Sequence, residues 1–333
     1  MPELPEVEVV RSGLERHLRG SLIRSVEVLD PRSVRRDAQG PERFAAALTG
    51  TVLADVARRG KYVWLLLAEP GASPAAGERG VAPAPGAVGE RGVVVHLGMS
   101  GQALIKDPDA ARERHLRIRM GLLTPDGASR ELRFVDQRIF GGMFLDPLIP
   151  EPDGAPAASA SALGLPLLPA SVAHIGRDPL DPHFDAAAFR RRLKRTSSGI
   201  KRVLLDQTVL SGIGNIYADE SLWRARLHYA KPADTLTGPQ ADAILRASSE
   251  VMAEALQAGG TSFDALYIDV NGQSGYFERG LNVYGRAGEP CRRCEAEGRD
   301  GIIVREPFMN RSSYRCPRCQ RAPRGFRAGR AAG

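Results

Sequence analysis

The spacing of hydrophobic and polar positions changes period twice along the chain. Residues 5–19 place Val7, Val10, Leu14 and Leu18 at helical spacing. Arg11, Glu15 and Arg19 take the opposite face and Gly20 supplies a stop, so the pattern predicts an amphipathic helix. From residue 22 to 145 the helical period gives way to short extended runs, of which 22–29 alternates. Short runs at 22–29, 52–56, 61–67, 93–97, 103–105, 116–122, 132–135 and 143–145 predict strands separated by glycine and proline turns. Many short strands with little helix between them suggest a β-sandwich or barrel. From Asp185 the period is helical again, over 186–195, 200–206, 216–226 and 237–257, with Gly259-Gly260 ending the last helix.

Two stretches interrupt these patterns. Residues 69–92 are rich in Ala, Gly and Pro, and Gly-Glu-Arg-Gly-Val occurs at 77–81 and again at 89–93, which reads as a duplication inside a flexible insertion. Residues 147–182 open with Pro147, Pro150, Pro152 and Pro156 and read as an interdomain linker. The expected organisation is α+β and multidomain. It comprises an N-terminal β-domain with its leading helix (1–146), the linker, a helical domain (183–282), a cysteine-bearing segment (283–320) and a disordered basic tail (321–333).

A length of 333 residues and an apolar content of 43% allow two domains with sizeable cores. The formal charge of +7 and pI near 9.5 favour polyanionic partners, nucleic acid first and a membrane surface second. Glu3, Glu6 and Glu8 stand where a signal peptide would be basic, and no apolar run reaches membrane-spanning length, so a cytoplasmic, monomeric protein is expected.

The chain begins Met1-Pro2-Glu3. Removal of Met1 would leave Pro2 as a free secondary amine beside a carboxylate. Such an amine can attack an electrophilic carbon and pass through an iminium. An α-amino group titrates at about 7.7–8.0, so part of it is uncharged at neutral pH. On these residues alone Pro2 reads as an ordinary processed terminus, since many chains begin Met-Pro. Cys291, Cys294, Cys316 and Cys319 form two C-x-x-C pairs, the spacing of a structural zinc site. Arginines crowd the same segment, as on a finger that grips a nucleic-acid backbone or on a solvated basic face. The Gly212-Ile213-Gly214-Asn215 turn ahead of a helix suits phosphate, or is only a turn. Lys61 stands at an expected strand start. Met99 sits on a glycine-flanked turn, and Arg138 and Phe140 lie two residues apart; such side chains unstack bases or fill the hole left by one. His115 lies between Arg114 and Arg117 as a phosphate contact or a surface histidine.

Several motifs occur together and in order: Met-Pro-Glu-Leu-Pro-Glu-Val-Glu at the start, Arg-Gly-Lys-Tyr at 59–62, His-Leu-Gly-Met-Ser-Gly at 96–101 and Gly-Ile-Gly-Asn-Ile-Tyr-Ala at 212–218. Gly-Tyr-Phe at 275–277, Val-Tyr-Gly-Arg at 283–286 and the paired C-x-x-C follow. The chain resembles the bacterial formamidopyrimidine-DNA glycosylases from Pro2 to Cys319, and Leu4 favours that branch over the related endonuclease VIII enzymes. The resemblance implies an N-terminal β-sandwich, a helix–two-turns–helix domain and a zinc finger. It implies excision of 8-oxoguanine and ring-opened purines from duplex DNA, followed by β,δ-elimination. Pro2 would be the nucleophile, Glu3 the general acid/base, Lys61 the proton donor in β-elimination and Arg311 the finger arginine on phosphate. His115, Arg138, Lys201 and Asn215 match DNA-binding positions, Met99, Arg138 and Phe140 the void-filling triad, and residues 261–276 a lid over the flipped base. One structural Zn2+ on the four cysteines is the implied cofactor.

The sequence departs from the family pattern in places. The finger carries about five extra residues within Glu295–Ile302, Tyr314-Arg315 stands where two aromatics are expected, and the loop at 195–199 has few lysines. A non-catalytic DNA-binding descendant could have lost Pro2, Glu3 or Lys61, and this chain keeps all three. An N-terminal-proline tautomerase would explain neither the cysteines nor the charge.

Overall fold

A computed structural model describes residues 2–68, 88–260, 270–271 and 280–326. It divides into one unit of Met1–His174 with Ala258–Tyr276 and another of Ile175–Gln257 with Phe277–Gly333. No helix among the described residues is long and apolar enough to cross a membrane.

The first unit opens with α1 (Leu4–Leu18). Pro5 sits in its first turn, and Glu3 and Glu6 form a capping box in which the Glu3 N–H donates to Glu6 Oε2 at 2.9 Å. Leu4, Val7, Leu14 and Leu18 are fully buried, as the helical spacing requires. α1 lies against β2 (Val52–Arg59), β3 (Tyr62–Ala68) and β5 (Gly101–Lys106). A Cβ at Gly13 would stand 2.6 Å from Val270, so only glycine lets that residue lie against the helix. Val270 in turn accepts the Ile105 N–H at 2.9 Å.

Nine antiparallel strands among the described residues join in the order β5-β7-β6-β1-β2-β3-β4-β8-β9. The remaining ones are β1 (Leu22–Val28), β4 (Val88–His96), β6 (Leu116–Leu123), β7 (Ser129–Asp136), β8 (Gly142–Pro150) and β9 (Leu167–Pro169). β7 and β8 are far apart in this order. Yet the Phe134 ring of β7 lies 2.9 Å from where a Cβ of Gly141, just before β8, would stand. The sheet is therefore bent over itself, and strands from β1 to β8 share one buried cluster, as in a sandwich.

Three expectations change. α2 (Pro41–Leu48) adds a helix to the expected elements; Pro41 at its start and buried Phe44 and Leu48 one turn apart account for it. The repeat Gly-Glu-Arg-Gly-Val at 89–93 lies in β4, so the expected insertion at 69–92 is strand from Val88, and residues 69–87 lie outside the described set. The expected linker at 147–182 folds largely into the first unit. Buried Arg59 and Asp55 need polar partners, and this stretch supplies them. Arg59 donates to Ala157 O (2.8 Å) and Glu151 (2.5 Å), and Asp55 accepts from Ser161 (2.5 Å) and the Leu163 N–H (2.8 Å).

The second unit contains α3 (Ala186–Leu193), α4 (Ile200–Leu204), α5 (Asn215–Arg224), α6 (Gly238–Gln257), the short α7 (Arg292–Ala296) and the hairpin β10 (Val304–Phe308) and β11 (Arg311–Arg315). α5 is buried on nearly all sides. Its Glu220 carboxylate accepts the N–H groups of Asn282, Val283 and Tyr284 at 3.0, 2.8 and 2.9 Å, which ties the cysteine segment to the helix. The tail was expected to be disordered from residue 321, but Phe326 packs 4.7 Å from the His228 ring and 5.7 Å from Tyr229. An aromatic ring offers apolar area to an existing cluster, which composition alone does not reveal.

Candidate active site and nucleic-acid interface

In the first unit Pro2 and Glu3 are buried at the start of α1, with Glu3 only 4% exposed. Gly260 lies against Glu6, where a Cβ would come within 3.4 Å of Glu6 Oε1. Lys61 is the second central residue of the β2–β3 hairpin turn rather than the first of a strand, because Arg59 pairs directly with Tyr62. Gly60 takes the first central position at φ +56°, a place that favours glycine. Behind the turn runs a buried polar chain. Arg58 donates through Nε to Glu8 (2.6 Å) and through Nη1 to Gly60 O (3.1 Å). Glu8 also accepts from Arg11 Nε (2.8 Å), and Arg11 Nη1 reaches Glu15 (2.6 Å) and Val56 O (3.0 Å).

Met99, Arg138 and Phe140 come together on two adjoining loops. Gly98 (φ +63°) lies so close to Gly141 N that a Cβ would stand 2.6 Å away. Fully buried Asp136 joins the loops: it accepts from Ser100 Oγ (2.5 Å), Arg138 N (3.1 Å) and Gly141 N (2.8 Å). Arg35 closes the other side, donating to the carbonyls of Ile139 (2.9 Å), Phe140 (3.2 Å) and Gly141 (3.3 Å). Met99 and Phe140 are 39% and 51% exposed, large apolar side chains held outward by a polar scaffold. Sequence reasoning found the loops and missed Asp136 and Arg35, whose roles depend on contacts far along the chain. His115 lies in the turn before β6, half-buried, and its carbonyl accepts the Asp136 N–H at 3.0 Å. His96 is pushed below its ordinary value by burial first and then by the charges of Arg36 and Arg35, and its ring lies 5.6 Å from Tyr62. Of the expected lid at 261–276, all but Val270 and Asn271 lie outside the described residues.

In the second unit Gly214 caps α5 and Asn215 is its first residue, at the positive end of the helix. Gln207 shapes the turn by accepting Gly212 N (3.0 Å) and donating to Ile213 O (2.9 Å). Asn215 Nδ2 donates to Ser312 O (3.0 Å) in β11. Lys201, expected to face DNA, is fully buried. Its Nζ pairs with Asp219 (2.7 Å) and donates to Ser312 O (3.2 Å) and Ser313 Oγ (3.1 Å). The position follows from Asp219, a buried carboxylate that needs a cation. Lys201 and Asn215 thus share one carbonyl, next in sequence to Arg311.

Arg311 opens β11 opposite Phe308 and is exposed. The neighbouring arginines are mostly engaged within the protein. Arg315 is paired with Glu306 (2.7 Å), Arg305 donates to Ser312 Oγ (2.7 Å), Arg293 stacks 4.0 Å from the Trp223 ring and Arg299 pairs with Glu297. The basic composition of this segment therefore overstates its free charge. The four cysteine sulfurs all lie within 4.8 Å of one another, with 291–319, 294–316 and 294–319 separations of 3.9, 3.7 and 3.5 Å. Trp223 Nε1 donates to Cys291 Sγ (3.3 Å). Gly301 belongs to the added stretch 295–302; a Cβ there would stand 2.5 Å from Cys294 Sγ, so the longer loop passes the site only as glycine. The four cysteines are placed to hold one metal ion.

The model of the formamidopyrimidine-DNA glycosylase N-terminal domain matches residues 1–143, and that of the H2TH domain of these enzymes matches 175–266. The chain is 51% identical to a formamidopyrimidine-DNA glycosylase of Kineococcus radiotolerans, covering 97% of this chain and 99% of the relative. It is 55% identical to one of Nocardia farcinica, over 97% and 99%. Among solved structures it is similar to the Lactococcus lactis Fpg in complex with DNA containing an abasic site, with TM-score 0.72 and 29% identity, covering 96% of this chain and 100% of the other. MutM in complex with DNA containing carbocyclic 8-oxo-G matches at TM-score 0.72 and 29% identity, with the same coverage.

Proposed function

The chain belongs to the formamidopyrimidine-DNA glycosylase family, and from that membership we propose that Pro2, Glu3, Lys61 and Arg311 carry out its reaction in two stages. The protein is a base-excision repair glycosylase for oxidised purines in duplex DNA, and an AP lyase. The observation that carries the residue assignment is the common support of Pro2, Glu3 and Lys61: helix α1 bears the first two, and Arg58 ties the Lys61 turn to the same helix.

The lesion nucleotide must leave the stack before its sugar can be attacked. Met99 and Phe140 take the place of the extruded base and Arg138 faces the orphaned partner. With Met1 removed, the Pro2 nitrogen attacks C1′. The bond from C1′ to the base breaks; the departing base takes the proton released by the Pro2 nitrogen, and O4′ of the opening sugar ring takes a proton from the Glu3 carboxyl. The product is an iminium between Pro2 and the sugar. It acidifies the C2′–H, so loss of that proton expels the 3′ phosphate, and a second elimination expels the 5′ phosphate. Lys61 delivers a proton in the first elimination. Arg311 stabilises the departing phosphate by a charge-assisted bond, and Asn215 and the N-terminus of α5 hold a backbone phosphate. Lys201 serves from behind, fixing Ser312 beside Arg311.

Zinc suits the cysteine cluster. Thiolates on an ion at metal–sulfur distances of about 2.3 Å stand about 3.8 Å apart, close to the separations found. Cys291, Cys294, Cys316 and Cys319 would hold it, and it supplies rigidity to a hairpin too short to fold alone.

The test is product analysis with the processed protein and duplex carrying 8-oxoguanine opposite cytosine. Release of the free base with a strand gap bearing phosphate at both ends is expected. Base release without any strand cleavage would overturn the assigned lyase residues.

A further inference from the structure

Among the described residues of the first unit, the buried arginines are Arg11, Arg58, Arg59 and Arg133, and the excision steps use none of them. Burying a guanidinium is costly, and a well-packed apolar side chain often serves stability as well or better. Arg58 differs from the others in one respect: it donates to the backbone carbonyl of Gly60, the residue before Lys61. We propose that Arg58 is a positioning residue for Lys61, holding the hairpin turn at a fixed place relative to the helix that carries Pro2 and Glu3. The proposal rests on the Lys61 role given above.

The geometry is specific. Arg58 is 2% exposed, and its planar fork spends Nε on Glu8 (2.6 Å) and Nη1 on Gly60 O (3.1 Å). The fork is rigid, so the two bonds set one distance between α1 and the turn. The Gly60 carbonyl and the Lys61 N–H belong to one planar peptide unit. Holding the carbonyl fixes the plane from which the Lys61 Cα departs. A lysine stem is long and flexible, and its base must be held if its ammonium is to meet a particular atom. Glu8 is itself held by Arg11 Nε at 2.8 Å, and Arg11 by Glu15 at 2.6 Å. The backbone of Arg58 is pinned as well, by Ala160 O (3.0 Å) and Ser159 N (2.8 Å). This chain of contacts joins groups of the protein itself. It acts through Lys61 alone.

The experiment is single-turnover strand cleavage of an abasic-site duplex by the full, processed protein, in a double-mutant cycle of Lys61→Ala and Arg58→Lys. A lysine at 58 keeps the charge beside Glu8 but has no fork to reach Gly60 O as well. Arg58→Lys is expected to slow cleavage about tenfold to a hundredfold, the scale of a displacement near 1 Å, and the double variant is expected to be no slower than Lys61→Ala. Wild-type cleavage by Arg58→Lys, or losses that multiply in the double variant, would overturn the proposal. If Lys61→Ala itself cleaves at the wild-type rate, the role of Lys61 fails and the proposal with it, a result distinct from multiplied losses. Glu8→Gln loosens the same clamp more mildly; it is expected to show the same dependence on Lys61 if Arg58→Lys does not fold, and its losses multiplying with those of Lys61→Ala would contradict the proposal equally.

Discussion

The ammonium of Lys201 lies 2.7 Å from the carboxylate of Asp219, and both side chains are buried. Burial raises the Asp219 carboxyl to about 6 against the opposing charge of Lys201. Removing one member leaves the other charged and dry, at a cost of about 3–5 kcal/mol. Lys201→Ala should therefore lower the urea midpoint strongly, while Lys201→Met with Asp219→Leu should recover much of the loss. Equal midpoints for Lys201→Ala and wild type would contradict the buried pair.

His228 sets a pH dependence of opposite origin. Burial, and then the charge of Arg315, lowers it from 6.5 to about 4, and its Nδ1 accepts the Ala230 N–H at 3.1 Å. Below pH 6.5 the unfolded chain takes up a proton that the folded chain refuses until about pH 4. This contribution is full above 6.5 and is lost as the pH falls towards 4. Unfolding midpoints at pH 7 and pH 5 should differ less in His228→Gln than in wild type.

Phe140 stands 51% exposed on a loop whose carbonyls Arg35 holds. A wedge matters only where a base must be extruded. Phe140→Ala should lose excision of paired 8-oxoguanine by more than it loses cleavage at a preformed abasic site, and Arg35→Ala should show the same split more weakly. Equal losses on the two substrates would place Phe140 outside base extrusion.

The sulfur cluster organises a segment with only one two-stranded sheet, β10–β11. Metal supplies what so small a core cannot. Chelation, or Cys316→Ser, should weaken binding to abasic-site duplex and shift tyrosine and tryptophan fluorescence through Trp223. Unchanged affinity after verified metal loss would contradict a DNA-gripping finger.

Much of this was legible in the sequence where a local rule decides. Short runs between glycine and proline turns marked the strands from β1 to β8, the spacing of Val7, Val10, Leu14 and Leu18 marked α1, and the C-x-x-C pairs marked the sulfur cluster. What stayed hidden depends on distant partners. Lys201 looks like a phosphate ligand until Asp219 is seen beside it. Residues 147–174 look like a linker because prolines break local periodicity, yet Arg58 and Arg59 draw them onto the first unit. Arg35 and Asp136 carry no motif, since Arg35 meets the Ile139 carbonyl 104 residues on and Asp136 meets Ser100 36 residues back along the chain.

The reaction turns on the nitrogen of Pro2. Borohydride reduction during reaction with 8-oxoguanine duplex should freeze the iminium as a covalent protein–DNA adduct. Peptide mapping should find the sugar on Pro2, and Pro2→Gly should give far less adduct. An adduct that maps elsewhere, or none formed by protein shown to lack Met1 and to cleave the strand, would contradict the mechanism.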